Sequence, residues 1–174
     1  ALQGASGNIG ANMASGNSNQ QSNNTALSAT SNAKNTATDY ANATAGANQM
    51  ALGNGTMGIM DNMDTNVQDS ATVNGNAAQN ASGNIAINVV AGAQNQQENG
   101  LAMASIASSK AMGNASAPVQ QVAYYNGGST MGSMYNSKVS GSALAGASGN
   151  IGLNVASGNG NQQVNTLAIA SATK

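Results

Sequence analysis

The sequence has 174 residues, of which 34 are Ala, 28 Asn and 22 Gly, whereas Leu, Ile, Val and Phe together number 23. So few large apolar side chains exclude an ordinary globular core, and a net charge of −1 leaves little of the self-repulsion that keeps polar chains disordered. The chain has no His, Cys or Arg, which excludes imidazole and thiol catalysis, zinc sites and disulfides and argues against nucleic-acid binding.

The first predicted element is a block at residues 5–30, which reads ASGNIGANMASGNSNQQSNNTALSAT. From Ile9 to Met13, apolar residues alternate with Asn or Gly, which is the period-two pattern of a β-strand with one apolar and one amide face. Gly and Asn within residues 15–18 tolerate the positive φ angles of a chain reversal, and a second strand follows from Gln20. The block therefore predicts a strand, an arc and a second strand.

The sequence between such blocks is more variable. We predict loops or arcs for residues 31–54 and 107–128, and the second of these segments holds the only proline, Pro118. One further motif lies outside the blocks, because GTMGIMDN at 55–62 matches STMGSMYN at 129–136. The repeated unit is therefore larger than the block itself.

The segment after this motif contains the residues that most resemble a chemical site. Asp61, Asp64 and Asp69 fall within nine residues, but the segment lacks the Gly and terminal Glu of an EF-hand loop. We interpret it as a solvated loop, with a weak cation site as the alternative. Methionines such as Met57 and Met60 raise the same question for a soft metal, and we interpret them as core filler in a chain without Phe or Trp. We predict no catalytic residue, metal site or cofactor.

The block occurs twice more, at residues 81–106 and 147–172. These copies read ASGNIAINVVAGAQNQQENGLAMASI and ASGNIGLNVASGNGNQQVNTLAIASA, with successive offsets of 76 and 66 residues. All three copies share ASGNI, a later Asn and the triplet NQQ. Self-similarity of this kind predicts a single repeat array over residues 1–174.

Stacking of equivalent residues explains why the spacing is kept. At the ~4.8 Å spacing of neighbouring strands, each amide can donate a hydrogen bond to one copy and accept one from the other, while the apolar side chains form a narrow core. We therefore predict an all-β fold, a stacked β-solenoid or cross-β (amyloid-like) arrangement with about three imperfect repeats as layers. The predicted amide ladder comprises Asn8, Asn84, Asn150, Asn12, Asn88, Asn154, Gln20, Gln96, Gln162, Gln21, Gln97 and Gln163. The predicted stacked apolar core comprises Ile9, Ile85, Ile151, Met13, Val89, Val155, Leu101 and Leu167.

At these residues the sequence resembles a known family. ASGNIGLNVASGNGNQQVNTLAIA is similar to the repeat of the functional amyloid fibre subunits of Pseudomonas, the Fap type, and the three blocks that carry the likeness cover about 78 residues. The resemblance implies a protein that Gram-negative bacteria secrete and assemble into biofilm fibres. The chain departs from the family in having no Cys-x-x-Cys near its C terminus and few charges in its linkers, which implies a divergent member.

We predict a structural subunit, not an enzyme, that self-assembles into extracellular bacterial filaments of a biofilm matrix or cell surface. The chain begins at Ala1 within a repeat and ends at Lys174 just after one, so we expect a processed product, no capping element and head-to-tail stacking of identical subunits. No apolar run approaches the ~18 residues of a membrane span, and nucleic acid is not an expected partner. We also expect secretion and nucleation partners.

The alternative function is a binding module. In that interpretation the chain is a monomeric β-solenoid adhesin that presents its amides and hydroxyls to a carbohydrate, a surface or ice. The two functions share a fold and differ at the ends of the stack, because a monomer needs a cap at each end whereas open strand edges favour polymerisation.

Overall fold

The computed structural model describes residues 2–31, 39–52, 68–107, 111–124 and 134–173, and within these ranges the chain is all-β, with twelve strands and no α-helix. The strands are β1 Ser6–Ser15, β2 Gln20–Ser31, β3 Asp39–Thr44, β4 Ala47–Leu52, β5 Gln68–Val73, β6 Ser82–Ala91, β7 Gln96–Ala107, β8 Ala111–Ser116, β9 Val119–Tyr124, β10 Met134–Val139, β11 Ser148–Ser157 and β12 Gln162–Thr173. No helix in the described part of the chain is long and apolar enough to span a membrane.

Two three-stranded parallel sheets organise the fold. The first sheet has the order β1-β6-β11 and the second β12-β7-β2. We name β1 with β2 repeat one, β6 with β7 repeat two, and β11 with β12 repeat three. Equivalent residues pair directly, as in Asn8 with Asn84 and Asn84 with Asn150. Repeat two thus supplies the central strand of each sheet. The prediction of an all-β fold is confirmed, and the sheets are parallel.

Three two-stranded parallel sheets flank this pair. Strand β10 pairs with β5, β3 with β8, and β4 with β9. The last two pairs correct the prediction of loops or arcs at residues 31–54 and 107–128, because both segments contain paired strands. The period-two signal there was hidden by alanine, since the buried face of β3 consists of Ala41 and Ala43, which are too small to stand out in a sequence pattern.

Apolar contacts lie on the outer faces of the two large sheets. The first sheet packs Ile85, Ile87 and Val89 against Ala71 and Val73 of β5. The second sheet packs small side chains against β3 and its surroundings, in a cluster of Ala41, Ala43, Ala45, Ala102, Ala104 and Ile106. The faces that the two large sheets turn toward each other are rich in amides instead. This amide interface contains most of the residues predicted to form the ladder.

Candidate functional site

The centre of the amide interface is a network of asparagines from both large sheets. Along the first sheet, Asn88 Nδ2 donates to Asn12 Oδ1 at 3.0 Å, and Asn154 Nδ2 donates to Asn88 Oδ1 at 3.1 Å. Across the interface, Asn99 donates to Asn88 and Asn165 donates to Asn154, both at 2.8 Å. Each central amide therefore bonds both to the next repeat and to the facing strand of its own repeat. Asn88 and Asn154 are buried, whereas Asn12 is exposed.

The amide of Asn23 completes this network in repeat one. Its Nδ2 donates to Asn12 Oδ1 at 2.7 Å, and its Oδ1 accepts from Asn99 at 3.0 Å. The reversed amide would gain contacts with the Ser22 carbonyl and the Ala11 backbone N–H, but it would place nitrogen against the Asn88 and Asn99 nitrogens and oxygen against the Asn12 oxygen. Since those contacts are repulsive, the orientation that matches the other two repeats is favoured.

A second column lies near the N-terminal ends of the strands in the first sheet. Asn84 Nδ2 donates to Asn8 Oδ1 at 2.8 Å, and Asn150 Nδ2 donates to Asn84 Oδ1 at 2.9 Å. Thr25 of the second sheet joins it, because its hydroxyl donates to Asn8 Oδ1 at 2.9 Å and accepts from Asn84 at 2.8 Å. The structure thus brings Asn8, Asn84 and Asn150 together in one hydrogen-bonded row.

The glutamines of the NQQ triplet form two more columns on opposite faces of the second sheet. In one, Gln21 donates to Gln97 at 2.9 Å and Gln97 to Gln163 at 2.8 Å. Gln97 also donates to the Val89 carbonyl at 3.2 Å, so this column bridges the two large sheets. In the other column, Gln162 donates to Gln96 at 3.0 Å and Gln96 to Gln20 at 3.5 Å, while Gln96 and Gln20 also donate to carbonyls of β9 and β4.

Two columns were not among the predicted site residues. One consists of Asn23, Asn99 and Asn165, in which Asn99 donates to Asn23 at 3.0 Å and Asn165 to Asn99 at 3.1 Å. The other consists of Asn19, Asn95 and Asn161, the first residues of the three NQQ triplets, which hold the arcs together. Asn95 donates to Asn19 Oδ1 at 3.1 Å and to the Gly158 carbonyl at 2.9 Å, and Asn161 donates to Asn95 Oδ1 at 2.9 Å. Their invariance across the triplets was the available signal. Two further pairs were missed in the variable segments, Asn114 to Asn42 at 3.1 Å and Gln121 to Gln49 at 2.9 Å.

The residues predicted to form the stacked apolar core occupy paired positions but differ in exposure. The paired sets are Ile9 with Ile85 and Ile151, Met13 with Val89 and Val155, and Leu101 with Leu167. In repeat two, Ile85 and Val89 are fully buried. In the outer repeats, Ile151 and Met13 are each 41% exposed. Repeats one and three therefore present apolar side chains that nothing in the described part of the chain covers.

The outer strands of the two large sheets are open edges. In the described residues, β1 and β11 of the first sheet and β2 and β12 of the second have no strand on their outer sides. These four strands contain no charged residue and no Pro, the devices that usually prevent edge pairing. Each edge consequently offers a row of backbone and side-chain amide groups to another strand.

Glu98 is the exception to this uncharged pattern. It lies in the middle of β7 and is fully buried, with Oε1 accepting from Asn24 at 3.3 Å and Oε2 without a hydrogen-bond partner. Burial raises the pKa of the Glu98 carboxyl above its ordinary value of 4.5, against a smaller lowering from the Asn24 hydrogen bond. The only charged side chain in the two large sheets is thus held where its charged form is unfavourable.

The aspartates considered as a cation site are only partly described. Asp61 and Asp64, like Met57 and Met60, lie outside the described residues. Asp69 lies on β5 rather than in the predicted loop, and its Oδ1 accepts from the Ser15 hydroxyl at 3.3 Å. In the described ranges there is no cluster of three acidic, His or Cys side chains that could hold a metal. The described geometry is therefore that of an amide stack with open edges.

Comparisons with known proteins show which family the sequence matches. Residues 57–174, about two thirds of the chain, match the model of the functional amyloid protein FapB/FapC family. A relative described as functional amyloid subunit FapC, from Pseudomonas aeruginosa, is 53% identical over 49 residues. That match covers 28% of this chain and 14% of the relative, so the chain aligns with a small part of that protein's length. No solved structure matches the chain.

Proposed function

Because the chain belongs to the functional amyloid protein FapB/FapC family, we propose that it is a structural subunit that self-assembles into filaments and performs no reaction. The whole chain, 1–174, acts as one repeat array, with blocks 5–30, 81–106 and 147–172 as successive layers of a β-solenoid or cross-β stack. The predicted ladder and core residues then have a structural role. The amides join layers, and the apolar residues fill the space beside them.

The observation that carries this proposal is that the junction inside the chain can be copied between chains. Repeat two makes parallel, in-register pairs with repeats one and three, and both outer repeats keep an open edge. A neighbouring repeat one can therefore pair with repeat three as repeat two does. Such a contact uses two different surfaces and does not close on itself, so it generates an unlimited head-to-tail filament.

The proposed location is outside the bacterial cell, in a biofilm matrix or on the cell surface. The support is the family membership and the relative named as a functional amyloid subunit. The composition suits that setting, since a stack joined by backbone and side-chain amides needs neither a disulfide nor a metal to persist. Secretion and nucleation partners belong to the same proposal.

The test is assembly of the purified chain, followed by fibre diffraction and helical reconstruction. We expect filaments with a strand repeat of about 4.8 Å along the axis and a rise of about 14 Å per subunit, because each chain contributes three strand rows. A rise of about 4.8 Å would refute the layered stack. A stable monomer at high concentration would refute self-assembly and favour the adhesin alternative.

A further inference from the structure

Glu98 occupies a row position at which the other two repeats are neutral. In the second sheet it pairs with Ser22 on one side and with Val164 on the other. It is also the only charged residue among the six strands of the two large sheets. The chain therefore has one carboxyl for every three rows at this position.

In the described part of the chain, the surroundings of Glu98 provide no countercharge. Oε1 has the amide of Asn24 as its partner, and Oε2 is buried without one. Strands β2, β6, β11 and β12 carry no titratable group, and neither does β8. The other strands that pack against β7 carry Asp39 and Tyr40 at the start of β3 and Tyr124 at the end of β9.

Tyr40, the one of these groups whose side chain the structure describes, does not pair with the carboxyl. Tyr40 is 66% exposed, and its carbonyl accepts from Thr30, which pairs with Ile106 at the other end of β7 from Glu98. Of the four lysines, only Lys138 lies within the described residues, on β10, which pairs with β5 and packs on the first sheet. As far as the described residues extend, ionised Glu98 is consequently desolvated without a compensating charge, which is costly.

The distance between successive Glu98 carboxyls differs between two kinds of amyloid arrangement. In a stack of repeats, Glu98 lies between Ser22 and Val164, and the next Glu98 is three rows away, about 14 Å. In an arrangement where each chain lies flat in one row and pairs with identical residues of the next chain, Glu98 repeats every ~4.8 Å. Carboxylates at that spacing repel each other, and the repulsion is stronger wherever burial limits screening.

We propose that Glu98 is a specificity-determining residue, which selects stacking of unlike repeats over flat, in-register stacking of identical chains, and that acidification removes this selection. The inference rests on the proposed filament function and adds a reason for one filament form. Below the ordinary carboxyl pKa of 4.5 the side chain is neutral in either arrangement, so the electrostatic difference between them disappears.

The experiment measures mass per length of filaments by electron microscopy, at pH 7 and pH 4, for the wild type and Glu98→Gln. Three rows per chain give about 12 kDa per nm for each protofilament, and one row per chain gives about 35 kDa per nm, a threefold difference for a 16.9 kDa subunit. We expect the wild type to have only the lower value at pH 7 and both values at pH 4. Glu98→Gln should have both values at each pH.

Asp69→Asn is the matched control, because it removes one carboxylate from a half-buried, hydrogen-bonded position on β5. It should behave as the wild type. If Glu98→Gln filaments have only the lower value at both pH values, or if Asp69→Asn changes the populations as much as Glu98→Gln, the inference is overturned. Failure of the wild type to form any filament overturns the proposed function instead.

A second variant tests the same position without removing Glu98. Ser22→Glu places a carboxyl in the row next to Glu98, so the repeat stack itself acquires the like-charge contact. We expect at least tenfold slower assembly than the wild type at pH 7 and recovery at pH 4, whereas Ser22→Gln should assemble normally at both. Wild-type rates for Ser22→Glu at pH 7 would contradict the proposed role of Glu98.

Discussion

Repeat two and repeat three share six of ten residues in the first sheet but have different environments. Ile85 is fully buried and its counterpart Ile151 is 41% exposed. Asn88 is buried, and the equivalent Asn12 of repeat one is exposed. An open edge does not decide exposure by itself, since Ile9 of repeat one and Asn154 of repeat three are buried on edge strands. Burial in this fold therefore depends on everything packed around a position, including the neighbouring rows of the stack.

This contrast distinguishes the isolated chain from the proposed filament. In the isolated chain repeat two is the most completely buried of the three repeats, whereas repeats one and three contain few buried residues, such as Ile9 and Asn154. In a head-to-tail filament the outer repeats acquire the same environment, and equivalent positions become alike. Substitutions at matched positions of the inner and outer repeats should thus have different effects on the stability of the isolated chain. Their effects on filament assembly should be the same.

The largest effect is expected from a charge in the apolar rows. Ile85→Lys puts an ammonium into a fully buried site and should lower the free energy of unfolding by about 4 kcal/mol or more. Ile151→Lys can extend its ammonium into solvent from a half-exposed site and should cost about 1 kcal/mol. Urea unfolding at concentrations too low for assembly would measure both.

Assembly should abolish the difference between Ile85→Lys and Ile151→Lys. A filament surrounds Ile151 as it surrounds Ile85, so both variants should fail to elongate wild-type seeds. Ser142→Lys, at an exposed turn before β11, is the control and should elongate normally. Normal elongation by Ile151→Lys would show that repeat three stays at a surface.

The next largest effect is expected at two equivalent glycines. Gly83 and Gly7 both have positive φ, at 112° and 96°, so alanine strains either backbone by about 1–3 kcal/mol. At Gly83 the added Cβ would also collide with the Gly7 carbonyl of the adjacent row, whereas at Gly7 it meets nothing within 4 Å. Gly83→Ala should therefore destabilise the chain by about 1–3 kcal/mol more than Gly7→Ala.

The same pair tests the direction of stacking. If the junction between chains copies the internal one, the Cβ of Gly7→Ala would collide with the Gly149 carbonyl of the next chain, as the Cβ at Gly83 would with Gly7. Gly7→Ala monomers should then fold but add poorly to wild-type filament ends. Addition at the wild-type rate would exclude a head-to-tail junction with this geometry.

A smaller difference is expected within the asparagine network. Asn88→Ala removes the partner of Asn12, Asn99 and Asn154 and leaves buried amides unsatisfied, at a cost of about 2–3 kcal/mol. Asn12→Ala removes an exposed amide and should cost about 1 kcal/mol or less, because water replaces the lost contacts. Chemical unfolding of the two variants measures the difference, and equal losses would contradict a protected central row.

The sequence allowed prediction of the fold class and family, but not of all the contacts. Three copies at offsets of 76 and 66 residues indicated parallel strands, and the pairing of Asn84 with Asn8 and Asn150 has those offsets. The strands β3, β4, β8 and β9 escaped prediction because they are short, and because the buried residues of β3 and β4 are small or polar, namely Ala41, Ala43, Gln49 and Ala51. Exposure could not be predicted either, since the same residue type at Ile9, Ile85 and Ile151 is 6%, 0% and 41% exposed.

The smallest effect is expected in the pH dependence of stability. It again compares repeat two, which contains Glu98, with the neighbouring rows. Glu98 has a raised pKa in the folded chain, so the folded state binds its proton more tightly than the unfolded state does. Stability from this group is complete below the unfolded value of 4.5 and falls, by at most about 1.4 kcal/mol per pH unit, as pH rises through the folded pKa. Glu98→Gln should remove that slope, whereas Ser22→Ala in the neighbouring row should keep it. Urea unfolding of dilute chains between pH 4 and pH 7 measures both, and a slope that persists in Glu98→Gln would mean that another group causes it. Because the measurement uses unassembled chains, it tests the environment of repeat two separately from any contact between subunits.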